Sequence, residues 1–184
     1  MQISDRLIRI AKKEDVGLDL EGARLIAFAA EGSMRDAESI LGQIMAVGDK
    51  DITRKEVEEI LGLPRRESAK KMFELIAKKD VSSALALIQN LHDSGYDLAY
   101  FSKLLMQYFR NALFLKIDPS LKSFIDEEML PDECECIAAN LAHFSEANLS
   151  HGLNVILSNL QSFKKTPIPQ LPLELTVIEL IEGQ

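Results

Sequence analysis

Tryptophan is absent, and the aromatics amount to eight Phe and three Tyr. The 184 residues hold only two Cys, nine Gly and six Pro. Two thiols cannot build a disulfide scaffold. Cys134 and Cys136 flank a single residue, and on a helix they would point roughly 200° apart. Reduced thiols in a reducing compartment are therefore expected. No apolar run approaches the roughly 20 residues of a membrane span. The start, Met1-Gln2-Ile3-Ser4-Asp5-Arg6, has no signal-peptide core. A soluble cytoplasmic protein with no membrane partner is the expectation. Excess positive charge is also missing: 21 Lys+Arg stand against 29 Asp+Glu, for a net charge of −8. Up to Leu63 there are 9 basic and 13 acidic residues, and beyond it 12 and 16. Neither half carries a basic patch, so little direct nucleic-acid binding is expected.

Several chemistries lack their motifs. There is no phosphate-binding Gly-rich loop ending in Lys-Ser or Lys-Thr, and no dinucleotide fingerprint. There is no Gly-x-Ser-x-Gly elbow and no His-Glu-x-x-His helix. His92, His143 and His151 are scattered. Cys136 and His143 could share a helix face, but a structural metal needs about four ligands, so no metal site is expected. The carboxylates Glu127, Glu128, Asp132 and Glu133 gather around Pro131 and read as a solvated loop. Arg65, Arg66, Lys70, Lys71, Lys78 and Lys79 share one segment and read as a solvated helix face, with a contact to a phosphate backbone as the alternative.

What is present is helical periodicity. Strand signals are absent, and an all-α fold is predicted. A first helix is expected over residues 4–14, with Leu7, Ile8 and Ala11 on one face. Asp19 is a candidate N-cap for a second, which Gly32 ends. Ser33-Met34-Arg35-Asp36 has the form of a capping box opening a third helix, closed at Gly48. Thr53-Arg54-Lys55-Glu56 is another such box, and Gly62-Leu63-Pro64 ends its short helix. Pro64 can occupy the first turn of the next helix. Asp80 caps another, closed by Gly95, and a long, central helix is expected from Asp97 to about Lys116. Short helices follow from Asp118-Pro119 to about Glu128 and from Pro131, the latter carrying Ile137, Ala138, Leu141 and Phe144. A further one carries Leu149, Leu153, Ile156, Leu157 and Leu160 and ends near Lys164-Lys165. Pro167, Pro169 and Pro172 delay the last until Leu173. The best boundary lies at Gly62-Leu63-Pro64, giving a small helical bundle over 1–62 and a larger helical domain over 63–184.

One residue stands out on physical grounds. Arg35 falls in the first turn of a helix, where the dipole is already positive. A guanidinium fork beside free N–H groups suits an anion, and a phosphate contact is the reading this supports. An exposed Arg offset by Asp36 is the alternative.

The run Ala29-Ala30-Glu31-Gly32-Ser33-Met34-Arg35-Asp36-Ala37 resembles the lid-domain signature of the bacterial DNA polymerase III gamma/tau subunit, the ATPase of the replicative clamp loader. Residues 21–30 and 39–43 are similar to the helices flanking that signature. Residues 52–63 resemble the segment leading to the collar domain, and residues 168–175 the start of the family's final helix. Glu38 stands where the family commonly has Leu, and Gly42 where it commonly has Asp.

The resemblance implies an AAA+ lid over 1–62 and a collar, or oligomerisation, domain over 63–184. It implies that Arg35 is the sensor-2 arginine, which reaches the phosphates of ATP held by a preceding ATPase domain. The phosphate loop, the acidic metal motif, the arginine finger and the zinc cysteines of that domain have no counterparts in these residues. The implied cofactor is thus ATP, bound only together with that domain, and the implied site has no catalytic residue and no metal. The implied partners are other clamp-loader subunits through the collar, with the sliding clamp and primed DNA reached by the full assembly. The implied setting is DNA replication in the bacterial cytoplasm, within the DNA polymerase III holoenzyme. By itself this segment is not expected to hydrolyse ATP. The alternative reading is a stand-alone helical adaptor or scaffold with no nucleotide link.

Overall fold

The computed structural model describes residues 3–48, 50–122, 125 and 129–183. Ten α-helices and one two-strand pair make up its regular structure among those residues. The chain divides into two compact units, Met1–Leu63 and Pro64–Gln184.

The first unit runs α1 (Ile3–Lys13), β1 (Gly17–Leu18), α2 (Leu20–Ala29), α3 (Met34–Val47), β2 (Asp51–Ile52) and α4 (Arg54–Ile60). Its core is Leu7 and Ala11 of α1, Ala23 and Ile26 of α2, Ala37, Leu41 and Ile44 of α3, and Val57 of α4, all fully buried. These are the residues that recur every three or four positions, so each helix turns its periodic stripe inward. The strands were not expected from sequence. They pair in parallel, Gly17 with Asp51 and Leu18 with Ile52. Two residues are too short for any alternation to register as a strand signal. A Cβ on Gly17 would crowd the Asp51 carboxylate, an exposed side chain that can turn away.

This pairing brings two helix starts together. Asp19 follows β1 and accepts a hydrogen bond from Gly22 N–H in the first turn of α2. Its other oxygen accepts from Arg54 N–H at the start of α4, at 3.2 Å. One carboxylate therefore caps two helices. At Thr53 the capping box is complete: Glu56 N–H donates to the hydroxyl at 3.4 Å, and Thr53 N–H donates to Glu56 Oε2 at 2.9 Å.

The second unit comprises α5 (Arg66–Ala77), α6 (Val81–Asp93), α7 (Leu98–Ile117), α8 (Pro131–Asn140), α9 (Glu146–Leu160) and α10 (Leu171–Glu182). Single 3-10 turns lie at Pro119–Leu121, Leu141–His143 and Gln161–Lys164. Asp80, Asp97 and Ser145 cap α6, α7 and α9. Four details differ from the sequence reading. Pro64 precedes the N-cap Arg65 rather than entering the first turn of α5. The helix from Pro131 stops at Asn140, and Phe144 is buried beyond a 3-10 turn. The last helix starts at Leu171, because Pro172 fits its first turn, where no N–H is needed. The segment from Asp118 opens as a 3-10 turn, and Glu127 and Glu128 lie outside the described residues.

Helix α7 packs against α5, α8, α9 and α10. Phe73 of α5, Tyr108 and Phe109 of α7, and Phe144 form one aromatic cluster, with ring centroids 5.1–5.8 Å apart. On α9, a Cβ at Gly152 would stand 2.6 Å from Phe109 Cε1 and 2.9 Å from Leu180 Cδ2 of α10. Glycine at that point lets three helices meet.

Helix α8 is fastened to α5 by a polar ladder. Arg66, Lys70 and Glu74 recur every four residues on α5. Arg66 Nη1 donates to Glu133 Oε2 at 2.8 Å, and Lys70 Nζ to Asp132 Oδ2 at 3.0 Å. Cys136 Sγ donates to Glu74 Oε1 at 3.4 Å. Glu133 is 2% exposed and also accepts from Tyr108 Oη at 3.0 Å and from Leu130 N–H at 2.8 Å. The solvated-loop reading is thus wrong for Glu133, and the solvated-face reading is wrong for Arg66 and Lys70. Their partners are more than 60 positions away in sequence, beyond the reach of local pattern. Burial and the Glu133 charge push the Tyr108 hydroxyl well above its usual range. Burial pushes the Cys136 thiol up from 9.0 to about 12, helped by the hydrogen bond to Glu74.

Two outcomes follow for stability. Gly152→Ala gains about 1 kcal/mol of helix propensity but overpacks a filled core, at a cost of about 1–3 kcal/mol. The net expectation is destabilisation, whereas Gly42→Ala on α3, where a Cβ meets nothing within 4 Å, should stabilise by about 0.5–1 kcal/mol. Urea unfolding midpoints of the two variants decide it; a more stable Gly152→Ala would contradict the packing account. The second outcome concerns alkali. The unfolded thiol ionises near 9.0, while the folded Cys136 stays neutral to about 12. The folded state then binds more protons, and stability falls as pH rises. The contribution is complete below 9.0 and is lost toward about 12. Cys136→Ala should flatten the decline in urea midpoint between about pH 8 and pH 10.5; an unchanged slope would refute the assignment.

Candidate functional site

The turn between α2 and α3 presents Arg35. Helix α2 ends at Ala29, and Ala30 N–H closes back on Ile26 O at 2.9 Å. Glu31 and Gly32 then take left-handed backbone conformations, with φ of 52° and 82°. A Cβ at Gly32 would have open space, so backbone conformation alone favours glycine there. Ser33 caps α3 by accepting from Asp36 N–H at 3.3 Å. The capping box is one-sided. Ser33 N–H donates to Ala30 O at 2.9 Å rather than to the Asp36 carboxylate. Aspartate is one carbon shorter than the glutamate that closes the box at Thr53.

Arg35 is the second residue of α3, and its side chain is exposed. Among the described residues its guanidinium makes no ion pair. Met34 and Arg35 also sit where backbone N–H groups have no intrahelical acceptor. The arrangement can therefore meet an anion with a two-pronged cation and nearby N–H donors. Within α3, one carboxylate lies three or four residues from Arg35, namely Glu38, and it is paired with Arg6 of α1 at 3.2 Å.

The other sequence candidates do not assemble. Cys136 is buried and engaged with Glu74 and Asn140, while His143 is exposed on the 3-10 turn past α8. His151 lies 3.6 Å from Glu179 across α9 and α10. Among the described residues no group of three His, Cys, Asp or Glu could hold a metal ion. No helix among them is long and apolar enough to cross a membrane. The second unit holds a groove of about 550 Å³, lined by Leu115, Pro119, Met129, Cys134 and Ala138 among others. Sequence reasoning missed this groove, because its walls come from separate elements.

The comparisons with known proteins agree over both units. Residues 52–183 match the family described as DNA polymerase III subunits gamma and tau domain III. Residues 2–50 match the family described as the ATPase lid domain of the DNA polymerase III clamp loader subunit. The two matches meet near residue 51, whereas β2 and α4 pack within the first unit, up to Leu63. Protein STICHEL of Arabidopsis thaliana is 37% identical over 92 residues, covering 50% of this chain and 8% of that protein. DNA polymerase III subunit gamma of Buchnera aphidicola is 23% identical over 175 residues, covering 95% of this chain and 47% of that protein. The chain thus spans less than half the length of these relatives. The Bacillus subtilis DNA clamp loader delta protein has a similar fold, with a TM-score of 0.56 at 17% identity, over 98% of this chain and 56% of that one. With its larger part matched to domain III and the remainder to the lid, the chain belongs to the family of DNA polymerase III gamma and tau subunits.

Proposed function

We propose that residues 1–62 act as the lid and residues 63–184 as the collar of a clamp-loader ATPase subunit in bacterial DNA replication. The lid reports on ATP bound to a preceding ATPase domain, and Arg35 is the residue that contacts its phosphates. The collar joins this subunit to other loader subunits, and the full assembly places the sliding clamp on primed DNA. The setting is the bacterial cytoplasm.

The observation that carries this reading is the position of Arg35. It is a cation in the first turn of α3, where the helix dipole opposes it, and among the described residues no ion pair offsets that placement. When bound, ATP supplies the negative charge. This chain supplies the fork, the left-handed turn at Glu31-Gly32 that aims it, and the Ser33 cap that fixes the start of the helix. The match of residues 52–183 to domain III supports the collar role, and Leu157 and Leu175 leave apolar side chains exposed on α9 and α10, at 59% and 53%.

Arg35 and Ser33 separate sensing from capping. Arg35→Ala should change the folding stability of this chain by no more than about 0.5 kcal/mol, as for an exposed site. In the full-length protein it removes a charge-assisted contact worth about 1.5–3 kcal/mol, weakening ATP affinity by roughly 10- to 100-fold. Ser33→Ala should do the reverse, losing about 1 kcal/mol of lid stability with a smaller effect on ATP. Urea unfolding and equilibrium ATP binding measure both. An Arg35→Ala protein that binds ATP and loads clamps normally would overturn the assignment.

A further inference from the structure

We infer that Arg6 is a positioning residue for Arg35: by binding Glu38 it keeps the Arg35 guanidinium free for phosphate. The inference rests on the reading of Arg35 as a phosphate contact. It starts from the spacing on α3. Residues three and four apart on a helix are surface neighbours, while adjacent residues face different ways. The positions three and four beyond Arg35 are Glu38 and Ser39. Glu38 is therefore its one charged neighbour along the helix. Seen from Glu38, the positions three and four away are Met34, Arg35, Leu41 and Gly42. Arg35 is in turn the one cation that Glu38 can reach on its own helix.

The structure does not make that pair. Glu38 turns to α1 and binds Arg6 Nη2 at 3.2 Å, with side-chain exposures of 41% and 58%. The choice is set by the core. Leu7 and Ala11 of α1 and Ala37 and Leu41 of α3 are fully buried, and α1 packs against α3. Arg6 adjoins Leu7, and Glu38 adjoins Ala37. Both thus stand at the rim of a fixed helix–helix contact, on backbones that cannot drift apart. The carboxylate is committed there, and the Arg35 guanidinium is left without it. Without Arg6, Glu38 falls to Arg35. A phosphate would then have to displace a carboxylate from the guanidinium before binding it. Exposed ion pairs of this kind are weak, so the competition is worth about two- to fivefold in affinity.

The test is equilibrium ATP binding by the full-length protein, at low ionic strength and again at 0.5 M salt. Arg6→Gln is expected to weaken ATP binding about two- to fivefold. Glu38→Gln alone should leave it unchanged, Arg6→Lys should retain it, and Arg6→Gln combined with Glu38→Gln should restore it. The loss should shrink at high salt, because exposed pairs are screened. In this chain alone, the Arg35 Nε–H resonance should shift on Arg6→Gln and return in the double variant, which reads the pairing without ATP. If Arg6→Gln leaves ATP affinity unchanged while Arg35→Ala weakens it, the positioning role is wrong and the sensor role stands. If the double variant stays as weak as Arg6→Gln, Arg6 acts through something other than Glu38, and the inference fails. If Arg35→Ala itself has no effect, the reading of Arg35 fails and the positioning role with it.

Discussion

The architecture of the second unit depends on one missing atom, the Cβ that Gly152 lacks. Helix α7 is apolar over most of its circumference, with Phe101, Leu105, Tyr108, Phe109 and Ala112 all buried. Such a helix is stable only when neighbours enclose it. The edge of the Phe109 ring lies where a side chain on α9 would otherwise begin, and Leu180 of α10 reaches the same point. Three helix axes therefore converge at a distance that alanine would not permit. Phe73 and Phe144 close the cluster from α5 and from the turn beyond α8. With α5 and α10 placed, α6 packs between them, and α8 packs against α5 and α7.

Polar groups fix what apolar packing leaves free. Hydrophobic contact is non-directional, so it sets how close helices come more firmly than how they are registered. Directional bonds from single carboxylates supply the register. Asp19 accepts from the starts of both α2 and α4. Glu133 accepts from α5, from α7 and from the start of its own helix. Glu133 is buried, and a buried carboxylate left without such donors would be costly, so it holds its elements in one arrangement. Asp19 is exposed and acts as a cap shared by two helix starts. The same logic explains why Cys136 stays protonated: its thiol faces Glu74 in a buried contact, where a thiolate would meet a like charge.

Much of this was legible in the sequence, because helical proteins write their local rules locally. The caps at Asp19, Thr53, Asp80 and Asp97, the stops at Gly48 and Gly95, and the length of α7 follow from residues within one turn of each other. The family resemblance was carried by the run around Arg35 and by the last helix. What escaped was non-local. The second duty of Asp19 needs β1 and β2 to pair across 33 intervening positions, Leu18 against Ile52. The burial of Glu133 needs α5 and α8 to lie side by side, and nothing in Pro-Asp-Glu-Cys announces it. The groove between α7 and α8 is invisible for the same reason. Proline was overread in both directions. Pro64 was placed inside a helix that it precedes, and Pro172 outside one that it joins.

Arg35 differs in its surroundings from these structural residues. Asp19, Glu133 and Thr53 each accept from a backbone N–H, so folding alone accounts for them. Arg54 is likewise a cation at the first residue of a helix, but it is surrounded by Glu21 and Glu58, at 3.4 and 2.8 Å. There the unfavourable dipole is offset within the fold. Arg35 occupies nearly the same position in α3 without that compensation, and its one helical neighbour of opposite charge is held by Arg6. Two arginines at two helix starts thus have opposite surroundings in one small bundle. The first is neutralised where it stands, and the second is left with its charge unspent. That difference in surroundings is what the proposed phosphate contact of Arg35 rests on.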